Sequence, residues 1–355
     1  MDTCDRFLGC MLGGAAGDAL GYIIEFDDWY TIRKKFGPYG LRTILRLDAN
    51  GRKGIISDDT QMSLFTADGL LWAAHDELAP EEGLYRSYMR WYYTQTKQVI
   101  QPDQSAWMTR QAHEKEWDYD MMGEEDLYAR RAPGKTCLSA LAGSGRTDSL
   151  YADNDSKGCG SIMRAAPVGL FYAGDPEKAF DVGCQSGRLT HGNPTGYLAA
   201  GMLSASVSLL SQGKELADTL PEVMRILQKH EHYEGVKRAV IRAIDEAVTD
   251  REAWRAMKRI GKGWVAEETY ALAIYCLLKT GTLKDAVIMA CNQDGDSDSC
   301  GSVCGNMAGA MYGADAVPRS WSHKLECGGL VTSLAQNLYK IHETEELKVA
   351  KIIQK

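Results

Sequence analysis

The amino-acid sequence predicts an all-α protein, on three observations. Apolar residues recur at helical spacing, as in Met62, Phe65, Gly69, Leu70 and Ala73, and again in Leu198, Met202, Ala205 and Leu209. Strand-like alternation is scarce and two-residue hairpin signals are nearly absent. Glycine repeats every fourth position in two runs, Gly9, Gly13, Gly17, Gly21 and Gly301, Gly305, Gly309, Gly313. On a helix that spacing makes a smooth stripe, because residues i and i+4 share a face. Each interior glycine costs roughly 1 kcal/mol against alanine, so close approach of two backbones is needed to offset it. Both runs are expected to be central helices, with each other as candidate partners, holding the polar motifs beside them rigid.

The 355 residues suffice for a large core, and no Pro- or Ser-rich linker divides them, so residues 1–355 read as one domain. Composition is ordinary for a globular chain, with 45% hydrophobic and 25% charged residues. A formal net charge of -8 argues against a grip on nucleic-acid phosphates, and Thr31 to Lys35 reads as a solvated basic face. Ten cysteines do not make a disulfide framework here. Cys10, Cys276, Cys291 and Cys304 sit in apolar or small-residue runs, as core cysteines do. Asp2 and Asp5 stand where a secretory signal needs positive charge, which points to a reducing, cytoplasmic compartment. No apolar run is expected to span a membrane.

Two short acidic clusters carry the chemistry. In Ser57-Asp58-Asp59-Thr60, Ser57 can cap an amphipathic helix beginning near Thr60, and first-turn carboxylates favour its dipole. Alone, that is an ordinary helix start. The second cluster, Asp294-Gly295-Asp296-Ser297-Asp298-Ser299, changes the balance. Asp296 and Asp298 would diverge on a helix, but in a loop before the Gly301 helix they can converge. Carboxylates with hydroxyls and no clustered His or Cys suit a hard cation, Mg²⁺ or Mn²⁺. Four aspartates over-charge one ion and nearly balance two. Two independent capped helices remain the alternative.

Between the clusters lie three glycine turns that can admit an anionic ligand. Asn154 to Ser161, with Ser156, Gly158, Cys159 and Gly160, precedes a helical run, Ile162 to Ala166, stopped by Pro167. Ala132-Pro133-Gly134-Lys135-Thr136 places a basic side chain beside the second. Gly261-Lys262-Gly263-Trp264 is the third, its tryptophan either facing a base or sugar or filling the core. Asp103 to Asp155 reads as a rim of loops and short helices. In Thr190 to Gly196, Asn193 caps a helix with Pro194 in its first turn, and His191 is either a ligand contact or a satisfied loop histidine.

In this order the motifs resemble the ADP-ribosylglycohydrolase family. The likeness runs from Gly13 to Gly21 and Glu25-Phe26, through Ser57 to Thr60, Ala132 to Gly134, Gly158 to Gly160 with Met163-Arg164, and Thr190 to Gly196. It closes with Gly295 to Ser299 and the glycine helix, and fades after Gly313. The resemblance implies a compact orthogonal multi-helix bundle with a binuclear Mg²⁺ centre, Mn²⁺ being an alternative. It gives Ser57, Asp58, Asp59, Asp296, Asp298 and Ser299 as metal ligands. It also implies ADP-ribose as ligand, with Gly158, Cys159 and Gly160 at the diphosphate, Pro133, Gly134 and Lys135 in another ligand loop, and Glu25 near the metals. The catalytic candidates are Asp58, Asp59 and Asp296, and either Asp58 or Asp59 handles protons. Gly187 to Tyr197 and the serine-containing last motif look closest to the branch acting on ADP-ribosylarginine. Asp294 departs from the family, which usually has glycine there; it either adjusts metal charge or points to solvent. The implied partner is an ADP-ribosylated protein. An ADP-ribosyltransferase toxin bound through residues 27–50 and 81–128 is the competing reading, and a magnesium-dependent phosphohydrolase a third. Residues 345–355 read as a basic amphipathic helix.

Overall fold

The computed structural model describes residues 1–353 except 46, 50, 52, 110–116 and 144–149, with side chains up to residue 344. The chain is all-α, as the sequence predicts. The helices are α1 (Thr3–Gly21), α2 (Trp29–Phe36), α3 (Asp58–His75), α4 (Pro80–Thr96), α5 (Ser105–Met108) and α6 (Lys135–Ala142). There follow α7 (Ala166–Phe171), α8 (Pro176–Arg188), α9 (Pro194–Leu210), α10 (Leu216–Leu227), α11 (Glu234–Ala247) and α12 (Ala253–Ile260). The last five are α13 (Ala266–Lys279), α14 (Leu283–Cys291), α15 (Ser297–Tyr312), α16 (Arg319–Ser322) and α17 (Gly328–Ile353). Among the described residues extended pairing is limited to isolated bridges, one of them joining Gly158 to Val265.

The two glycine runs pair with each other. α1 and α15 lie antiparallel, Gly9 against Gly309 and Gly313, Gly13 against Gly305, and Gly17 against Gly301. A methyl group at Gly9, Gly13, Gly17, Gly301, Gly305 or Gly309 would overlap the opposing backbone. The stripe therefore sets how closely the helices approach, and dispersion contacts along two touching backbones offset the entropy cost of glycine.

This arrangement corrects one expectation. Thr3–Ile24 is long and apolar enough to cross a membrane, but 83% of its apolar window is buried inside the protein. Two helices expected to be amphipathic are instead buried on nearly every side. In α3 burial runs from Asp58 to Ala73, and in α9 from Leu198 to Leu210. α3 is enclosed by α1, α4, α7 and α17.

Other boundaries differ from the sequence reading in instructive ways. α3 starts at Asp58, not Thr60, with Ser57 as its cap. Ile162 to Ala165 is a turn, and Pro167 opens α7 instead of stopping a helix, since proline in a first turn leaves no orphan N–H. Asn193 does cap α9, accepting from the Thr195 N–H at 2.9 Å, with Pro194 first in the helix. The described part of 103–155 holds only short helices. All ten cysteines are free. α17 continues to Ile353, and the side chains expected to make residues 345–355 basic and amphipathic lie outside the described residues.

Candidate metal centre and ligand loops

The site is built where α1, α3 and α15 meet. Ser57 is extended, and its Oγ accepts the Asp59 N–H at 3.2 Å, which turns Asp58 and Asp59 into the first turn of α3. That turn is held by a residue the sequence reading passed over. Asp18, fully buried on α1, accepts the Ser57 N–H through both carboxylate oxygens at 3.0 Å and the Thr60 N–H at 3.1 Å. The Thr60 hydroxyl donates to the same carboxylate. An anion is favoured at a helix N-terminus, where N–H groups lack partners. The available signal was an acid in the middle of an otherwise small and apolar helix.

The second acidic motif converges differently from the expectation. It is not a loop: α15 starts at Ser297, with Asp296 as its N-cap and Asp298 in the first turn. The two carboxylates still meet, because the non-helical cap folds back over the turn. Asp296 Oδ1 and Asp298 Oδ1 accept the same Ser299 N–H, at 3.2 and 3.0 Å. Gly295 has φ +125°, and a side chain there would run into the Lys262 carbonyl at 2.5 Å. Asp294 faces away from the pair. Its Oδ1 accepts the Trp29 N–H at 2.8 Å, and its Oδ2 lies 3.8 Å from Lys258 Nζ. It anchors the start of α2, neither joining the acidic pair nor standing free.

Burial and mutual repulsion dominate the electrostatics. Asp18, Glu25, Asp58, Asp59, Asp296 and Asp298 are all held above the usual carboxylate range, by burial first. The Asp298 charge also raises Asp18, Glu25, Asp58, Asp59 and Asp296. No Lys, Arg or His among the described residues pairs with any of them. Asp59 Oδ2 and Glu25 Oε2 are buried without a hydrogen-bond partner. Ionised groups so placed are costly unless a cation joins them. Oxygen donors, orphaned acceptors and uncompensated charge fit a hard divalent ion. One trio outside these motifs, Glu124, Asp126 and Cys327, brings its ligand atoms within 4.8 Å of one another. Its Asp126, however, is already paired with Lys53 at 2.6 Å.

The three glycine turns close around these acids. The Gly134 N–H donates to Asp58 Oδ2 at 3.0 Å, which brings Pro133 to the cluster, while Lys135 is exposed at the start of α6. Thr136 Oγ1 lies 3.1 Å from Ser156 Oγ, joining this turn to the Gly158 loop. The Cys159 thiol lies beside Asp296 and Ser299, and its N–H donates to the Trp264 carbonyl at 3.2 Å. Gly263, at φ +82°, packs against Asp296 and Cys300. Trp264, 38% exposed, stacks at 5.5 Å on the exposed ring of Phe26, next to Glu25. His191 lies beneath the Gly158 loop, with Nδ1 2.8 Å from Thr190 Oγ1. Burial and then the Arg164 charge push it down to about 3, so the ring is neutral. The residues named from sequence thus fall in one place, with His191 under the rim and Lys135 at its edge.

The family model described as ADP-ribosylglycohydrolase matches residues 1–348. The chain belongs to that family. As an ADP-ribosylglycohydrolase it matches beyond Gly313, where the motifs themselves end. It is 27% identical over 336 residues to the ADP-ribosyl-[dinitrogen reductase] glycohydrolase of Rhodospirillum rubrum, covering 91% of this chain and 90% of that one. It is 24% identical to the human ADP-ribosylhydrolase ARH3, over 96% of this chain and 94% of that one. It is also 24% identical to the ADP-ribosylarginine hydrolase Tri1 of Pseudomonas putida, over 94% and 78%. A solved ADP-ribosylglycohydrolase-related protein complex contains a chain of the same fold, with TM-score 0.69 at 24% identity, covering 96% of this chain and 99% of that one.

Proposed function

We propose that this single-domain ADP-ribosylglycohydrolase removes ADP-ribose from modified arginine on proteins, with two Mg²⁺ ions, Mn²⁺ being able to replace them. The observation that carries the reading is the set of buried carboxyls at α1, α3 and α15 that lack a cation from the protein. Ser57, Asp58, Asp59, Asp296, Asp298 and Ser299 would hold the ions, with Glu25 beside them. When bound, such ions supply positive charge for ribose hydroxyls and for a water molecule.

The chain's own residues do the rest. The Gly158-Cys159-Gly160 loop, with Ser156, takes the diphosphate, and Pro133, Gly134 and Lys135 border it. Gly263 and Trp264 line the adenosine side. Hydrolysis breaks the bond from the anomeric carbon to the guanidino nitrogen, and water oxygen joins that carbon. A carboxylate of Asp58 or Asp59 takes the water proton and returns one to the departing nitrogen. Positive charge that builds on the ribose is offset by the acidic cluster, Asp296 included. The arginine linkage is supported by the Gly187 to Tyr197 segment and by a relative named as an arginine hydrolase. Free cysteines fit a cytoplasmic setting.

The test is a panel of arginine-, serine- and O-acetyl-linked ADP-ribosyl substrates, with Mg²⁺ and with chelator. Release of ADP-ribose from the arginine linkage, abolished by chelator, is expected. Release from none of the three would refute the enzyme reading. The second reading, a protein that blocks an ADP-ribosyltransferase, draws on the exposed rings of Phe26, Tyr30 and Tyr39 around α2. An Asp58→Asn variant that still protects cells from such a toxin would favour it.

A further inference from the structure

Arg164 is fully buried and forms no ion pair among the described residues. Its Nη2 donates to the Ser186 carbonyl at 2.8 Å and to Thr190 Oγ1 at 2.7 Å. Its guanidinium lies 4.2 Å over the Tyr88 ring, and Nη1 rests on the sulfurs of Met62 and Cys137. Thr190 Oγ1 in turn stands 2.8 Å from His191 Nδ1.

The direction of each hydrogen bond follows from what each group can do. A guanidinium only donates, and a hydroxyl carries one proton. With its oxygen accepting from Arg164, Thr190 has that proton to give. Its other neighbours are His191 Nδ1 and the Cys137 sulfur. Imidazole nitrogen is much the stronger acceptor, and the Cys137 thiol is directed at the Gly160 carbonyl. The hydroxyl proton therefore goes to Nδ1, and a neutral ring must carry its own proton on Nε2.

We propose that Arg164, acting through Thr190, is a positioning residue that locks His191 as the Nε2–H tautomer and presents that N–H to a phosphate oxygen of the ligand. The ligand half rests on the functional reading above. The loop geometry agrees with it. Nε2 would stand 3.4 Å from a Cβ at Gly158 and 3.3 Å from one at Gly160, so the two glycines leave this edge of the ring uncovered. His191 is 1% exposed, its Nδ1 is engaged by Thr190, and its Nε2 edge faces the two glycines. An N–H donor at that edge selects a ligand oxygen that has no proton of its own. The opposite tautomer would select a ligand hydroxyl instead.

The experiment uses the full chain labelled with ¹⁵N, reading the imidazole nitrogens of His191 through their ring-proton correlations. The wild type is expected to show a protonated Nε2 and a bare Nδ1. Thr190→Val, which keeps the shape and removes the hydroxyl, is expected to shift population to the Nδ1–H form. It should also weaken ADP-ribose binding by calorimetry about tenfold, the loss of one charge-assisted hydrogen bond. His191→Gln, which keeps an N–H near the same place, should bind better than His191→Leu. An Nδ1–H wild type, or an unchanged spectrum in Thr190→Val, would overturn the relay, and equal losses in His191→Gln and His191→Leu would overturn the donor role. The tautomer is read without ligand, so a wild type that binds no ADP-ribose refutes the functional reading and the ligand half, while the spectrum still decides the relay.

Discussion

Helix α3 carries buried aspartates at two places. Asp68, in its middle, accepts from Arg90 Nη1 at 2.7 Å, from the Ser87 hydroxyl at 2.8 Å and from the Tyr119 hydroxyl at 3.2 Å. Asp58 and Asp59, at its N-terminus, face other carboxylates instead, and Asp59 Oδ2 has no hydrogen-bond partner. Both regions are removed from water. One is a closed ion pair in which the protein supplies both charges; the other holds negative charge with only backbone N–H groups and hydroxyls against it. The difference separates structure from function along one helix. A buried charge that the fold needs comes with its partner, and a set of carboxyls left open is what the proposed cation site requires.

The comparison can be broken most sharply by neutralising each side. Asp58→Asn and Asp296→Asn should each lower the rate of ADP-ribose release about a thousandfold, ~4 kcal/mol in the barrier. Their metal-free melting temperatures should hold or rise, since repulsion is relieved. Near-wild-type rates in these variants would break the functional side. Asp68→Ala should do the reverse. It leaves Arg90 buried without its partner, and urea unfolding should show a loss of about 3–5 kcal/mol. Activity per folded molecule should be retained, and a selective loss of activity would place Asp68 in the site after all.

Smaller effects sharpen the role of the scaffold. Gly309→Ala would force α1 and α15 apart, and denaturation should show a cost of about 3 kcal/mol. Gly329→Ala, in α17, meets nothing within 4 Å and should change stability by less than about 0.5 kcal/mol in either direction. Asp294→Ala is expected to fall between the two glycine substitutions. Losing the Trp29 N–H contact should cost about 1 kcal/mol and leave cation affinity unchanged. A drop in cation affinity would return Asp294 to the metal centre.

What was legible in the sequence was local or periodic. The glycine runs announced two helices that touch along their backbones. Ser57 and Asn193 were readable as caps, because capping involves neighbours two residues on. What escaped depended on partners distant in the chain. Asp18 supports Ser57 across 39 residues, and Asp294 holds Trp29 across 265. The start of α15 was misread because serine, aspartate and glycine serve equally in loops and in first turns. Pro167 was misread because proline both ends and begins helices, and only the packing of α7 decides which.

The most direct test is titration of the metal-stripped chain with Mn²⁺ by calorimetry. The account predicts saturable binding of two ions per chain, lost in Asp58→Asn and Asp296→Asn and kept in Asp68→Ala. An absence of saturable binding to the wild type, or binding that survives both α3 and α15 substitutions, would contradict it.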